Sequence, residues 1–261
     1  MQREPRGCGS LGLRQTVIQA YKIAEQALFP VIVAIDGFFT SHFMEPIEIP
    51  DQATVDAFLP PFSVPTRFNI EDPAFISNVV NPEQYMAYRE RSFADMEKTR
   101  PIIREANREY QEIVGRGYEV VEAIDTDGAE IVLVTSGAMT STARVAIESL
   151  RAKGYKAGLL KIKAFRPFPT EEVQEALKNV PKVAVLDRNI SLGKEGIFCH
   201  ELKSALYPLE RRPTVTGYIA GICGADVSPE MIEDMVIEAL KREKPTDLPI
   251  WVRRETWLQK R

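Results

Sequence analysis

Apolar positions along the chain change their period twice, and each change marks a different kind of structure. From Thr16 to Leu28, the residues Val17, Ile18, Tyr21, Ala24 and Leu28 fall near one face at helical spacing, which predicts an amphipathic helix. Pro30 stops it. The run VIVAI, Val31 to Ile35, is then a β-branched stretch of the kind a sheet covers on both sides. From Met44 to about Gly115 the pattern is at first irregular. Seven prolines stand from Pro46 to Pro82, with a doublet at Pro60-Pro61. Each lacks an N–H and restricts its predecessor, so neither continuous helix nor interior sheet is expected. Ile47, Ile49, Phe58, Leu59, Phe62, Phe68 and Phe75 are threaded through this stretch, which a disordered linker would not carry. It reads as an ordered arm laid across another surface. Asn81 next caps a helix with Pro82 at its first position. This helix carries Ile102, Ala106, Tyr110 and Ile113 on one face, is interrupted at Pro101 and ends at Gly115.

From about Asp125 to Lys244 the pattern settles into a strand–loop–helix rhythm. Strands are predicted at Ile131 to Thr135, Ala157 to Ile162, Val183 to Asp187 and Thr214 to Ile219, with helices beginning near Thr140, Thr170, Gly196 and Ser228. Ser228-Pro229-Glu230 is a strong helix start, with a capping serine, a first-turn proline and an acid. Strands alternating with helices imply right-handed crossovers and a parallel sheet with helices on both faces, an α/β fold. The tail after Pro245 is short and basic, carries Trp251 and Trp257, and is expected to dock on a neighbour.

Composition narrows the function classes. A chain of 261 residues can hold one large domain or two modest ones. The net charge of -4, with both signs interspersed, gives no general attraction to nucleic acid or to an anionic membrane. Apolar runs such as VIVAI are too short to span a bilayer, and the opening MQREPRGC has no apolar core of a signal peptide. A cytoplasmic location is therefore expected. Cys8, Cys199 and Cys223 show no CxxC spacing, which argues against a disulfide framework, a zinc site or an iron–sulfur cluster held by this chain alone.

Several short motifs bear on chemistry. GCGSLG, Gly7 to Gly12, has the letters of a dinucleotide fingerprint, but the fingerprint needs a strand before it and MQREPR supplies none. It reads as a glycine-rich leader. DRNISLGKEG follows a predicted strand and opens a helix, so Asp187, Arg188, Asn189, Ser191 and Gly193 lie at the carboxyl edge of the sheet. That edge has two readings, an anion site at a helix start or a structural turn. His200 lies mid-helix without a second ligand at i+4, so no metal is assigned to it. Asp36, Ser41 and His42 follow VIVAI in the segment DGFFTSH, where a loop histidine fixing a turn is the default over a hydrolase triad. No acid pair stands out as general acid and base.

The run PVIVAIDGFFTSHFMEPIEIPDQATVDAFLPP, Pro30 to Pro61, resembles the α subunit of the pyruvate:ferredoxin oxidoreductases, thiamine-dependent members of the 2-oxoacid:ferredoxin oxidoreductase family. There a strand, DGFxxSH and an EPxxxP arm with VxxFLPP follow in this order. The likeness continues through EIVLVTSGAMTSTARVAI, KIKAFRPFP and VLDRNISLGKEG, from about Thr16 to Lys241. The resemblance implies that residues 1–45 are the C-terminal remnant of a thiamine-pyrimidine domain and 46–124 a proline-rich arm and connecting helix. Residues 125–245 would form a parallel α/β domain like the C-terminal domain of transketolase, with 246–261 as tail.

It also implies a cofactor and partners. Thiamine diphosphate and magnesium would sit at the interface with a β subunit. The 4Fe-4S clusters would lie on that subunit and on a ferredoxin-like δ subunit, in an assembly that also has a γ subunit. Pyruvate and coenzyme A would give acetyl-CoA, CO2 and reduced ferredoxin. The family's upstream YPITP-like motif, its pyrimidine-activating glutamate and a substrate-binding arginine do not precede Thr16 here. The chain is thus expected to be the last two-thirds of such a subunit, inactive alone, and no catalytic residue is assigned. Asp36, Gly37, Ser41 and His42 are the matched residues nearest a cofactor site. Alternatives are a subunit for another 2-oxoacid, branched-chain or 2-oxoglutarate, and a non-catalytic structural fragment of such a complex.

Overall fold

The protein is described here by a computed structural model over residues 10–37, 40–42, 44, 49–64, 69–73, 77, 79–115, 117 and 119–253. Residues 7–9 of GCGSLG, together with Ile47, Phe68, Phe75 and Trp257, lie outside these. The chain divides into two compact units. One holds the described residues of Arg14–Val33 and Glu48–Tyr118, the other those of Met1–Leu13, Ala34–Ile47 and Glu119–Arg261.

The helical unit is built from α1 (Ser10–Ala27), α2 (Gln52–Phe58) and α3 (Pro82–Val114). Its core joins Phe58, Ala106 and Tyr110, with Ile18, Ile23, Leu59 and Val114 packed against them. The Phe58 and Tyr110 rings meet edge to face at 5.0 Å, a favoured aromatic geometry. Lys22 is buried beside them. Its ammonium donates to the Phe58 carbonyl at 3.0 Å, pairs with Glu109 and lies 4.4 Å from the centre of the Phe58 ring. A buried ammonium needs such partners, because losing water uncompensated is costly.

Three expectations for this part of the chain change. VIVAI is not a covered strand: it has no sheet partner among the described residues, and Ile32 is 90% exposed. A β-branched run forms sheet only where a neighbour takes its N–H and C=O groups. The proline-rich arm does contain a helix, α2, because Gln52–Phe58 is proline-free and Asp51 accepts the Thr54 N–H at 2.7 Å. Pro101 does not interrupt α3, which runs through it for 33 residues. The expected ends of α3 are observed, with an Asn81–Gln84 capping box and Gly115 at φ 75.

The α/β unit contains β1 (Val121–Ile124), β2 (Ile131–Thr135), α4 (Met139–Ala152), β3 (Ala157–Ile162), α5 (Thr170–Leu177), β4 (Lys182–Asp187), α6 (Ile197–Leu206), β5 (Thr214–Ile219), α7 (Pro229–Lys241) and β6 (Ile250–Trp251). The strands form one sheet in the order β1-β3-β2-β4-β5-β6. All neighbours are parallel except β1, which runs antiparallel to β3. The fold is the α/β class expected, with two edge strands, β1 and β6, that the apolar pattern did not announce.

Alternation along each strand feeds two cores. Ile131, Leu133, Leu159, Ala184 and Leu186 face α4 and α7. Val132, Val134, Leu160, Val183 and Val185 face α5 and α6. Both faces of β2 are thus fully covered, as a central parallel strand requires. Among the described residues no helix is long and apolar enough to cross a membrane.

Leu159 is fully buried in this sheet while Leu192, in the loop before α6, is 91% exposed. Leu159→Ala should cost about 3 kcal/mol in urea denaturation through lost burial and a residual cavity. Leu192→Ala should change it by less than about 0.5 kcal/mol.

Candidate functional site

Strands β2 and β4 are neighbours, but the helices that follow them, α4 and α6, cover opposite faces of the sheet. Their exit loops part, and the carboxyl ends of the two strands flank a topological switch point, where open α/β sheets take ligands. The side chains gathered here come from three exit loops and one distant segment.

The loop after β2 brings Gly137 and Ala138 to the start of α4. Ala138 stands at the N-cap, makes no side-chain cap bond and is followed by no acid in the first turn. Its N–H is taken instead by Oδ2 of Asp36. The other oxygen of Asp36, Oδ1, accepts from Nη1 of Arg188 at 3.0 Å, just beyond β4. Arg188 is held in turn by Nε donating to the Gly221 carbonyl at 3.2 Å, beyond β5. The two charged side chains keep only 16% and 22% of their surface exposed. Gly137 has φ 62, and a Cβ there would overlap the Asp36 carboxylate, so the close approach requires glycine.

At the next loop Asp187, the last residue of β4, is almost wholly buried. Its oxygens accept the N–H groups of Phe198 and Cys199, each at 3.0 Å, and the Asn189 amide at 3.2 Å. Oδ1 of Asn189 accepts the Ile197 N–H at 2.8 Å. The first three N–H groups of α6 are therefore taken within the chain, which fits the structural-turn reading of this loop. Gly196 lets the strand end come this close, since a Cβ there would overlap Asp187. Burial pushes the Asp187 carboxyl up to about 6, against the N–H donors of Cys199 and Phe198 and the Asn189 amide, with the Glu195 charge adding to the rise.

Glu195 is a buried acid that the sequence reading passed over. It pairs with Lys203 at 2.6 Å and accepts from the Cys199 thiol at 3.3 Å. Two buried acids thus share this loop, although no acid pair stood out along the chain. Burial pushes the Cys199 thiol far above its ordinary value, opposed by Lys203 and reinforced by Glu195, so it stays an unreactive thiol. Ser191 and Gly193 form the turn between, where the Ser191 N–H donates to the Glu195 carbonyl at 2.9 Å.

Of the residues expected near a cofactor, Asp36 is the one brought to the switch point. Gly37 is exposed, and Ser41 Oγ lies 2.8 Å from Nδ1 of His42 with both residues exposed. The Asp36 carboxylate is engaged by Arg188 and Ala138, so these three do not form a Ser–His–Asp relay. Asp36 and Arg188, expected in two separate groups, form one contact. Gly137, Ala138 and Gly221 were not anticipated; a glycine directly between a strand and a helix, as in TSGAM, was the available signal for Gly137.

A doubly covered α/β sheet with ligand-type residues at its carboxyl edge defines a broad class of domain. Comparison with known proteins narrows it. Residues 129–232 match the model described as "Pyruvate:ferredoxin oxidoreductase core domain II". Residues 13–108 match "Pyruvate flavodoxin/ferredoxin oxidoreductase, thiamine diP-bdg". The chain is 38% identical over 239 residues to pyruvate synthase subunit PorA of Methanothermobacter thermautotrophicus, covering 91% of this chain and 61% of the relative. It is 36% identical over 239 residues to ketoisovalerate oxidoreductase subunit VorA of Pyrococcus abyssi, covering 88% of this chain and 60% of the relative. A solved 2-oxoglutarate:ferredoxin oxidoreductase from Magnetococcus marinus aligns over 71% of this chain and 30% of its own, with 18% identity and a TM-score of 0.44. The chain belongs to the 2-oxoacid:ferredoxin oxidoreductase family, where it aligns with α subunits, and it spans about three fifths of the length of those curated relatives.

The raised Asp187 carboxyl has a consequence for stability. Folded, it keeps its proton to about pH 6, whereas the ordinary value is 3.8. Between those values the folded state holds more protons, so its stabilising contribution is present at low pH and is lost as pH rises toward 6. Asp187→Asn should therefore gain on the wild type by on the order of 2 kcal/mol from about pH 4 to about pH 6. Urea denaturation of both proteins at the two pH values measures it, and a pH-independent difference would count against the assignment.

Proposed function

We propose that the chain is the α subunit of an assembly that oxidatively decarboxylates pyruvate. Pyruvate, coenzyme A and two oxidised ferredoxins would give acetyl-CoA, CO2, one proton and two reduced ferredoxins. The observation carrying this reading is the 38% identity to a pyruvate synthase subunit along nine tenths of the chain. The DGFxxSH segment, whose aspartate is anchored at the switch point, adds support.

Thiamine diphosphate fits the family, and one matching model is described as binding it. When bound, it supplies the carbanion that adds to the 2-oxo carbon. Among the described residues no three His, Cys, Asp or Glu side chains are placed to share a metal ion. No residue is therefore assigned to hold the diphosphate, and no step is drawn through it. In this proposal a β subunit brings thiamine diphosphate and magnesium. The 4Fe-4S clusters lie on β and on a ferredoxin-like δ subunit, a γ subunit completes the assembly, and the whole works in the cytoplasm. This chain contributes scaffold at the cofactor interface.

The test is anaerobic co-purification with β, γ and δ subunits, followed by coenzyme A-dependent ferredoxin reduction with pyruvate, 2-oxoisovalerate or 2-oxoglutarate. Pyruvate should be preferred by about tenfold or more in kcat/KM, the discrimination that small differences in carbon skeleton allow. Preference for 2-oxoisovalerate would move the subunit to the ketoisovalerate group, and absence of reduction with every acid would remove the enzymatic role.

A further inference from the structure

At the switch point, where this fold class takes ligands, stands the chain's own carboxylate. Asp36 meets three separate elements of recognition there. The Ala138 N–H comes from a helix start, the Arg188 guanidinium carries the opposite charge, and Gly137 gives room for close approach. Four other helix starts are capped by nearby side chains: α6 by Asp187 and Asn189, α7 by Ser228, α3 by Asn81 and α2 by Asp51. α4 has no side-chain cap and no first-turn acid of its own, so its positive end is answered by a residue 102 positions away. Arg188 is also held ready, because Gly221 fixes its Nε and leaves Nη1 directed at the carboxylate.

We propose that Arg188, the Ala138 N–H and the bare α-carbon of Gly137 form a carboxylate receptor at the switch point, that Asp36 is its resident ligand, and that a free small carboxylate takes the same place when Asp36 is removed. Arg188 and Asp36 are then positioning residues. The segment before Asp36 pairs with no strand among the described residues, so the carboxylate is an anchor for it. The turn closed by the Thr40 N–H on the Asp36 carbonyl, at 3.4 Å, starts at this anchor and leads into Ser41 and His42. A carboxylate held in place by the fold acts at an effective concentration far above that of added acetate at about 20 mM, so the wild type should ignore the free acid.

Amide hydrogen exchange on the full chain tests this without any activity assay. In Asp36→Gly, the Ala138 amide should exchange about tenfold faster or more, the scale of a charge-assisted hydrogen bond lost. Acetate should slow it back toward the wild-type rate, whereas chloride at equal ionic strength should not, and adding Arg188→Ala should remove the acetate response. The amides of Val132, Leu133 and Val134 in β2 report that the sheet is intact. Equal effects of acetate and chloride, or an acetate response that survives Arg188→Ala, overturn the proposal. If Asp36→Gly does not fold, Arg188→Gln and Arg188→Lys are compared with Asp36 in place. Faster exchange over residues 36–42 in the glutamine variant, partly restored by lysine, supports the receptor; unchanged exchange in both overturns it.

Discussion

A parallel sheet covered on both faces makes every helix after a strand begin at the same edge, where its first N–H groups have no helical partner. Much of the chemistry at this edge answers that constraint. Asp187 and Asn189 take the first N–H groups of α6, and Ser228 takes that of Met231 in α7. α5 places Glu171 and Glu172 in its first turn. α4 is completed by Asp36. What looks in one dimension like a set of ligand residues is, in three, mostly a set of acceptors for helix starts. The described acid most deeply buried, Asp187, is the one that joins a strand end to the helix that follows it, and its raised proton affinity is the cost of doing so in the core.

The central strands were legible because each is an apolar run of five or six residues bounded by turn formers, and burial on both faces needs nothing more specific. VIVAI has the same letters and a different outcome. What separates it from IVLVT is a hydrogen-bonding neighbour, which is a property of the surroundings and not of the run. The edge strands β1 and β6 escaped notice for the opposite reason: half-exposed and short, they carry too little apolar signal. Helix α2 was hidden by averaging, since a high proline count over the whole arm masked the proline-free stretch between Pro50 and Pro60. Pro101 removes one hydrogen bond from a helix whose capped ends, ion pairs and packed face outweigh that loss.

The identities of the site residues were readable, but their pairing was not. Asp36 and Arg188 stood out for separate reasons, one in DGFFTSH and one in DRNISLGKEG, and nothing local joins positions 152 residues apart. The N–H of Ala138 has no letter of its own, so a backbone donor is invisible in a motif. Glu195 was overlooked because GKEG draws attention to its glycines, while the acid between them goes inward to Lys203. The family match and the geometry therefore contribute different things. One identifies the lineage of the chain, and the other shows which of its matched residues touch.

The long reach of the Asp36 contact also sets an order in time. On the ribosome Asp36 emerges 152 residues ahead of Arg188, a lag of about 8–30 s at ordinary elongation speeds. Through that interval the apolar VIVAI run has left the tunnel without the guanidinium that will hold its end. The nascent chain thus carries a sticky, unanchored segment until β4 is complete, and a binding chaperone would meet it in that window.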